Sequence, residues 1–244
     1  MKKHNTIALI PARGGSKSIP GKNLVDFCGR PLLYWTIAQA QASRFIRQVF
    51  VTSDSEEILD FSRCLGAGAI KRPLEFASDE ASSESALSHA ISFLEAACVP
   101  DIGQVVFLQA TSPLRENKDI DEALGLFNSK KADSLFSGSV VDDCCLWKNS
   151  GAKLKSITYD YRNRGRRQER EPYLLENGSI YIFKPAVLRK FKNRLGGKIV
   201  FYPMPPWKSF EIDKKEDMDI CAFFMKNNIL KKVPAYSEGS RCQG

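Results

Sequence analysis

Residues 7–23 read Ile-Ala-Leu-Ile-Pro-Ala-Arg-Gly-Gly-Ser-Lys-Ser-Ile-Pro-Gly-Lys-Asn, an apolar run of strand length joined to a loop with three glycines and three cations, Arg13, Lys17 and Lys22. A run apolar at every position suits a strand covered on both faces, which is the place of a central strand in a parallel sheet. The loop has the chemistry to wrap phosphate, because Gly14, Gly15 and Gly21 let backbone N–H groups approach an anion that the cations neutralise. Gly21-Lys22 is followed by Asn23 rather than Ser or Thr, and the glycine spacing is not Gly-x-Gly-x-x-Gly. A P-loop kinase and a dinucleotide dehydrogenase are therefore disfavoured.

Strand and helix patterns alternate after this loop. Pro31 is placed to open a helix with Leu32, Leu33, Ile37 and Ala40 at helical spacing, and 49–52 is the next strand. Ser53-Asp54-Ser55-Glu56 reads as a strand end and helix cap, with Gly66 as the stop and a short strand at 69–70 beyond it. Further strands are expected at 104–109, 134–141, 179–183 and 199–202, and further helices around 86–94, 120–127, 185–188 and 218–225. The expected fold is α/β, a doubly wound, mostly parallel Rossmann-like sheet whose ligands lie beyond the carboxyl ends of its strands. The expected division is a core of 1–141 and 177–233, an insertion at 142–176 where the alternation breaks, and a disordered tail at 234–244.

With 244 residues, 43% apolar and 26% charged, the chain can bury a core and matches ordinary globular composition. The first apolar run breaks at Pro11, too short for a signal or a membrane span, so a cytoplasmic protein is expected. Seven cysteines without a Cys-x-x-Cys pair and only two histidines disfavour a disulfide framework or a zinc site. The formal charge of +8 is concentrated: residues 148–172 carry eight Lys or Arg against three Asp or Glu. Such a strip suits an anionic site, a partner surface or a solvated loop, and a basic nucleic-acid-binding module is the alternative of a different class.

Four later segments carry polar chemistry. Arg72-Pro73 precedes Ala77-Ser78-Asp79 and the pair Ser82-Ser83, a region that also reads as ion pair and helix cap. Gln109-Ala110-Thr111-Ser112-Pro113-Leu114-Arg115 leaves the strand at 104–109 at its carboxyl end, with Arg115 suited either to orient a substrate or to brace the loop. Arg166-Arg167-Gln168-Glu169 comes shortly before Glu176-Asn177-Gly178-Ser179-Ile180-Tyr181. In Glu211-Ile212-Asp213, strand alternation is expected to put both carboxylates on one face, as a magnesium site or as a solvated edge.

Taken with Ala12 to Lys17 and Ile19 to Asn23, these segments resemble, in the same order over 7–217, the signatures of the acylneuraminate cytidylyltransferases, which join CMP to sialic acid and related nine-carbon acids. Ser18, Ala110 and Glu211 stand where that family usually has Gly, Pro and Asp. The resemblance implies a cytoplasmic homodimer using CTP, Mg²⁺ and an acid sugar of the sialic or legionaminic type, with pseudaminate or an eight-carbon 3-deoxy acid as the alternative. It implies nucleotide contacts from Arg13, Gly14, Gly15, Ser16, Lys17, Lys22, Asn23, Arg72 and Ser83, the last two on the cytosine. It implies sugar contacts from Gln109, Arg167 and Tyr181, metal ligation by Glu211 and Asp213, and catalytic roles for Arg13, Lys22 and Asp213. An arginine suits a carboxylate because its planar fork donates two hydrogen bonds at once.

Overall fold

β1 (Asn5–Pro11) sorts its side chains alternately onto two cores, Ile7 and Leu9 on one face and Ala8 and Ile10 on the other, all fully buried. A strand covered on both sides must sit inside a sheet with helices on each face. The computed structural model shows this arrangement; it describes residues 5–16, 18–77, 82–99, 101–151 and 153–232, without the side chains of Arg167 and Lys232.

Beyond the glycine loop, a 3₁₀ turn at Lys22–Leu24 leads into a two-residue ribbon, β2 (Asp26–Phe27) with β3 (Arg30–Pro31), and then α1 (Leu32–Gln41). β4 (Gln48–Ser53), α2 (Glu56–Cys64), β5 (Gly68–Lys71), α3 (Ser83–Ala96), β6 (Ile102–Leu108), α4 (Asn117–Ser129) and β7 (Ser134–Val141) follow. The chain then makes an exposed hairpin, β8 (Trp147–Ser150) and β9 (Lys153–Ser156), before β10 (Tyr173–Phe183), α5 (Pro185–Phe191), β11 (Ile199–Pro203) and α6 (Lys215–Phe224). Two caps are local chemistry: the Ile58 and Ser85 N–H groups donate to the hydroxyls of Ser55 and Ser82 at the starts of α2 and α3.

The sheet has seven strands in the order β11-β7-β10-β6-β1-β4-β5. All neighbours are parallel except β10, which runs antiparallel to both β6 and β7. On one face α1 and α4 contribute Leu33, Ile37, Ile120 and Leu124; on the other α3 and α5 contribute Leu87, Ile91 and Leu188. A third cluster, with Phe27, Trp35, Ile212 and Met225, packs α6 and the loop before it against the β2–β3 corner.

Two elements depart from the sequence expectation. β10 begins at Tyr173, not 179, because 173–176 pair with 138–141 of β7 while Leu174 and Leu175 stay exposed. Period-2 burial therefore gives no signal there. Residues 211–213 are loop, not strand. Ile212 is buried and its N–H donates to the Thr111 carbonyl at 2.8 Å, so a single cross-loop bond replaces a ladder.

Candidate active site at the carboxyl ends of β1 and β6

Strand order reverses between β1 and β6, and a cleft of about 420 Å³ opens there, beyond Pro11 on one side and Gln109 on the other. This is where an open α/β sheet has room for a ligand. Arg13, Gly15, Ser16, Lys22 and Asn23 line it from the first loop. Gly14 lies behind them: its N–H donates to Asp54 Oδ1 at 2.9 Å, and a Cβ on it would come within 2.9 Å of Ser55 Cβ. Asn23 fixes the same loop by donating from Nδ2 to the Arg13 carbonyl at 2.9 Å. Lys17 and the stretch 78–81 lie outside the described residues, as does the tail at 234–244.

Lys22 ties this loop to the acidic one. Its Nζ donates to the Ile212 carbonyl at 2.9 Å and to Asp213 Oδ1 at 3.2 Å, with the lysine side chain largely covered and the aspartate open. Glu211 and Asp213 both line the cleft, although no strand alternates them. The Glu211 carboxyl is pushed up to about 7, first by burial and then by the charge of Asp213. The Ser112 hydroxyl, at 3.4 Å, and the nearby cations offset this only partly. Lys208, almost completely buried, anchors the stem of the acidic loop through Glu116 at 2.7 Å and Asp119 at 2.5 Å.

The space for Glu211 is made by β10. At Gly178 the backbone is left-handed, φ +63°, and a Cβ there would sit 2.1 Å from Glu211 Oε1 and 3.3 Å from Gln109 Nε2. Pairing with β7 slips between Glu176 and Tyr181, and Ser137 of β7 supports the break by donating to Asn177 Oδ1 and accepting from the Ile180 N–H. Gln109 is held by Arg115, which is fully buried and donates to the Gln109 carbonyl, Ser179 and Thr36. Burial lowers the Arg115 guanidinium to about 9, so it is still charged at neutral pH. Arg115 therefore braces the loop.

Arg72, Phe76 and Ser83 also line the cleft. Arg72 is only 5% exposed, and its Nε and Nη2 have no hydrogen-bond partner; Asp54 Oδ1 is 3.7 Å from Nη2. A buried guanidinium beside a cleft, with two nitrogens lacking partners, calls for an acceptor. Burial lowers its pKa, with Arg13 adding to the effect and Asp54 opposing it.

One expected sugar contact is not brought to the cleft. Tyr181 is buried, stacked on Phe107 at 5.3 Å, and its hydroxyl is engaged with Glu176 and Arg194. Its ring supports Phe107, which does line the cleft. Arg167 lies in a 3₁₀ turn at Arg167–Glu169, and its side chain is outside the described structure. The sequence reading missed Asp54, which holds Gly14 and faces Arg72. The available signal was a carboxylate one residue past a strand end.

A doubly wound sheet with a glycine-and-lysine turn, a buried arginine and a carboxylate pair around its switch-point crevice defines a nucleotide-binding α/β protein. A family model described as Cytidylyltransferase matches residues 7–227, and the chain belongs to that family. It is 32% identical over 224 residues to an N-acylneuraminate cytidylyltransferase of Oncorhynchus mykiss, covering 90% of this chain and 50% of the relative. It is 30% identical over 236 residues to one of Escherichia coli O18:K1:H7, covering 94% and 54%. The chain thus spans about half the length of the curated relatives it matches. Among solved structures, a CMP:2-keto-3-deoxy-manno-octonic acid synthetase complexed with CTP superposes with a TM-score of 0.67 at 15% identity, covering 94% of this chain and all of that one. A 4-diphosphocytidyl-2C-methyl-D-erythritol synthase gives 0.67 at 10% identity, covering 91% and 98%. At these identities the likeness is one of fold. No helix among the described residues is long and apolar enough to cross a membrane.

Proposed function

We propose that this protein is a cytoplasmic cytidylyltransferase that joins CMP, taken from CTP, to a nine-carbon 2-keto acid sugar of the N-acylneuraminate or legionaminate type, releasing pyrophosphate. The observation that carries the reading is Lys22, whose ammonium bonds the glycine loop to the Glu211–Asp213 loop in one cleft that Arg72 also lines. Cations and backbone N–H groups for a triphosphate, and carboxylates for its counter-ion, thus share a single space.

In the reaction the anomeric hydroxyl oxygen attacks the α-phosphorus. An O–P bond forms there, the bond to the β-phosphate bridging oxygen breaks, pyrophosphate departs, and the hydroxyl proton passes to water. An anionic sugar must approach a polyanion, so rate comes mainly from positioning and from fixed positive charge. Arg13 and Lys22, with the N–H groups near Gly15 and Ser16, hold the phosphates, and Lys17 belongs to the same loop. Arg72 and Ser83 take the base and Gln109 the sugar, with Arg167 as the grip on its carboxylate. The donor set suits Mg²⁺: two carboxylates face one cleft, and the buried one is uncomfortable as an anion. Glu211 and Asp213 would hold the ion, which screens the triphosphate and the departing pyrophosphate.

The partner is a second copy of the chain, seated on the insertion. Leu146, Leu154, Ile157, Leu174 and Leu175 there are all more than half exposed, an apolar surface that water leaves uncovered at a cost. A coupled pyrophosphate assay tests the reading, with CTP, UTP and GTP against a panel of nine-carbon acids and one eight-carbon acid. CTP with a nine-carbon acid should be the fastest pair; no release with any acid, or equal rates with all three nucleotides, overturns it.

A further inference from the structure

Arg72 is not the only side chain at the base end with unmet hydrogen bonding. His89, on α3, has its Nδ1 buried without a partner, and its ring packs against Phe76 at 5.4 Å between centroids, 35° from parallel. Phe76 and Arg72 both line the cleft, and the charges that His89 feels are those of Arg72 and Glu75. A guanidinium with two partnerless nitrogens therefore lies within electrostatic reach of an imidazole whose Nδ1 is also partnerless and whose ring is held by Phe76. No hydrogen bond joins Nδ1 to the guanidinium in the structure.

We propose that His89 is a positioning residue for nucleotide binding: its unprotonated Nδ1 accepts from Arg72 and steadies that guanidinium against the base, while Phe76 fixes the ring. The inference rests on the cytidylyltransferase reading above and adds a residue to it. An imidazole can do this only when neutral, since His⁺ is a donor at both nitrogens and would face Arg72 as a like charge. Burial first, and the charge of Arg72 second, hold His89 below its ordinary 6.5, with Glu75 opposing, so the neutral form prevails at pH 7. Around Arg72 itself, Asp54 and Arg13 are the other charged groups in play.

The test compares wild type with His89→Leu, which keeps bulk and loses the acceptor, and His89→Gln, which restores an acceptor that does not titrate. CTP affinity is read by calorimetry, and KM and kcat by pyrophosphate release from about pH 5.5 to 8. His89→Leu should weaken CTP binding about tenfold, the effect of one lost hydrogen bond to a charged group, with little change in kcat or in KM for the acid sugar. His89→Gln should recover most of the affinity. In wild type the KM for CTP should climb at the acid end; in both variants that climb should be shallower, the remainder belonging to Glu211 and to the terminal phosphate of CTP itself. If wild type binds no CTP, the function reading fails and this proposal with it. If wild type binds CTP and His89→Leu binds it equally, with the same pH profile, the proposal alone is overturned.

Discussion

Glu211 is the side chain in the cleft whose charge is hardest to keep. Its folded pKa of about 7 lies above the ordinary 4.5, first through burial and then through Asp213. The protonated group therefore contributes stability that is whole below about pH 4.5 and lost as pH rises through about 7. Without divalent cations, the Tm of wild type should fall more between about pH 5 and 8 than that of Glu211→Gln. Added Mg²⁺ should raise the wild-type Tm at pH 8 and leave the variant's nearly unmoved; parallel melting profiles would contradict this. Lys22→Ala removes a cation that touches both loops, so pyrophosphate release should drop by about 10² to 10³-fold, the scale of losing one preorganised electrostatic group. Its Tm should stay within a few degrees of wild type, which circular dichroism checks. Lys22, Arg72, Glu211 and Asp213 were legible through the family resemblance, since charge type alone left Arg72 open to an ion pair and the acidic pair open to a solvated edge; all four line one cleft. Asp54 was not legible, and Arg115 was legible only as one of two roles, to orient a substrate or to brace the loop. Asp54 meets Gly14 across 40 residues, and Arg115 meets Thr36 across 79, so their roles exist only once the sheet has formed.

Among the elements, β10 has the most unusual task, since one strand must pair with two neighbours and also leave a hole for a carboxylate. Gly178→Ala would put a methyl carbon against Glu211 in a left-handed backbone. The conformation alone costs about 1–2 kcal/mol. The expected result is a modest fall in Tm and a much larger fall in turnover with a weaker response to Mg²⁺, read by melting and by assay across metal concentrations; equal proportional losses would argue against the cradle. The parallel strands were legible from apolar runs and the helices from their spacing, because β1, β4 and β6 are dry on both sides and α1 to α4 each bury one face. The first half of β10 was not, as its leucines face solvent. The Glu211–Asp213 segment has the alternation of a strand, yet the bond from Ile212 to Thr111 and the lysine clamp determine its shape.

For the whole molecule, the proposed dimer rests on the exposed apolar side chains of the insertion. A double variant, Leu154→Asp with Ile157→Asp, should convert a dimer into monomers by light scattering while the melting transition survives, because neither residue contributes to the core. A monomeric wild type would remove the dimer from the reading. The strand that leaves this insertion is also the strand that shelters Glu211: β10 runs from Tyr173 through the slip in its pairing at Gly178 into the middle of the sheet. Under the proposed dimer, a second copy resting on the outer half of this strand would bear on the shelter of the carboxylate. The expected outcome of serial dilution is then a fall in turnover per chain while circular dichroism and the melting transition hold steady; turnover independent of dilution would cut that link.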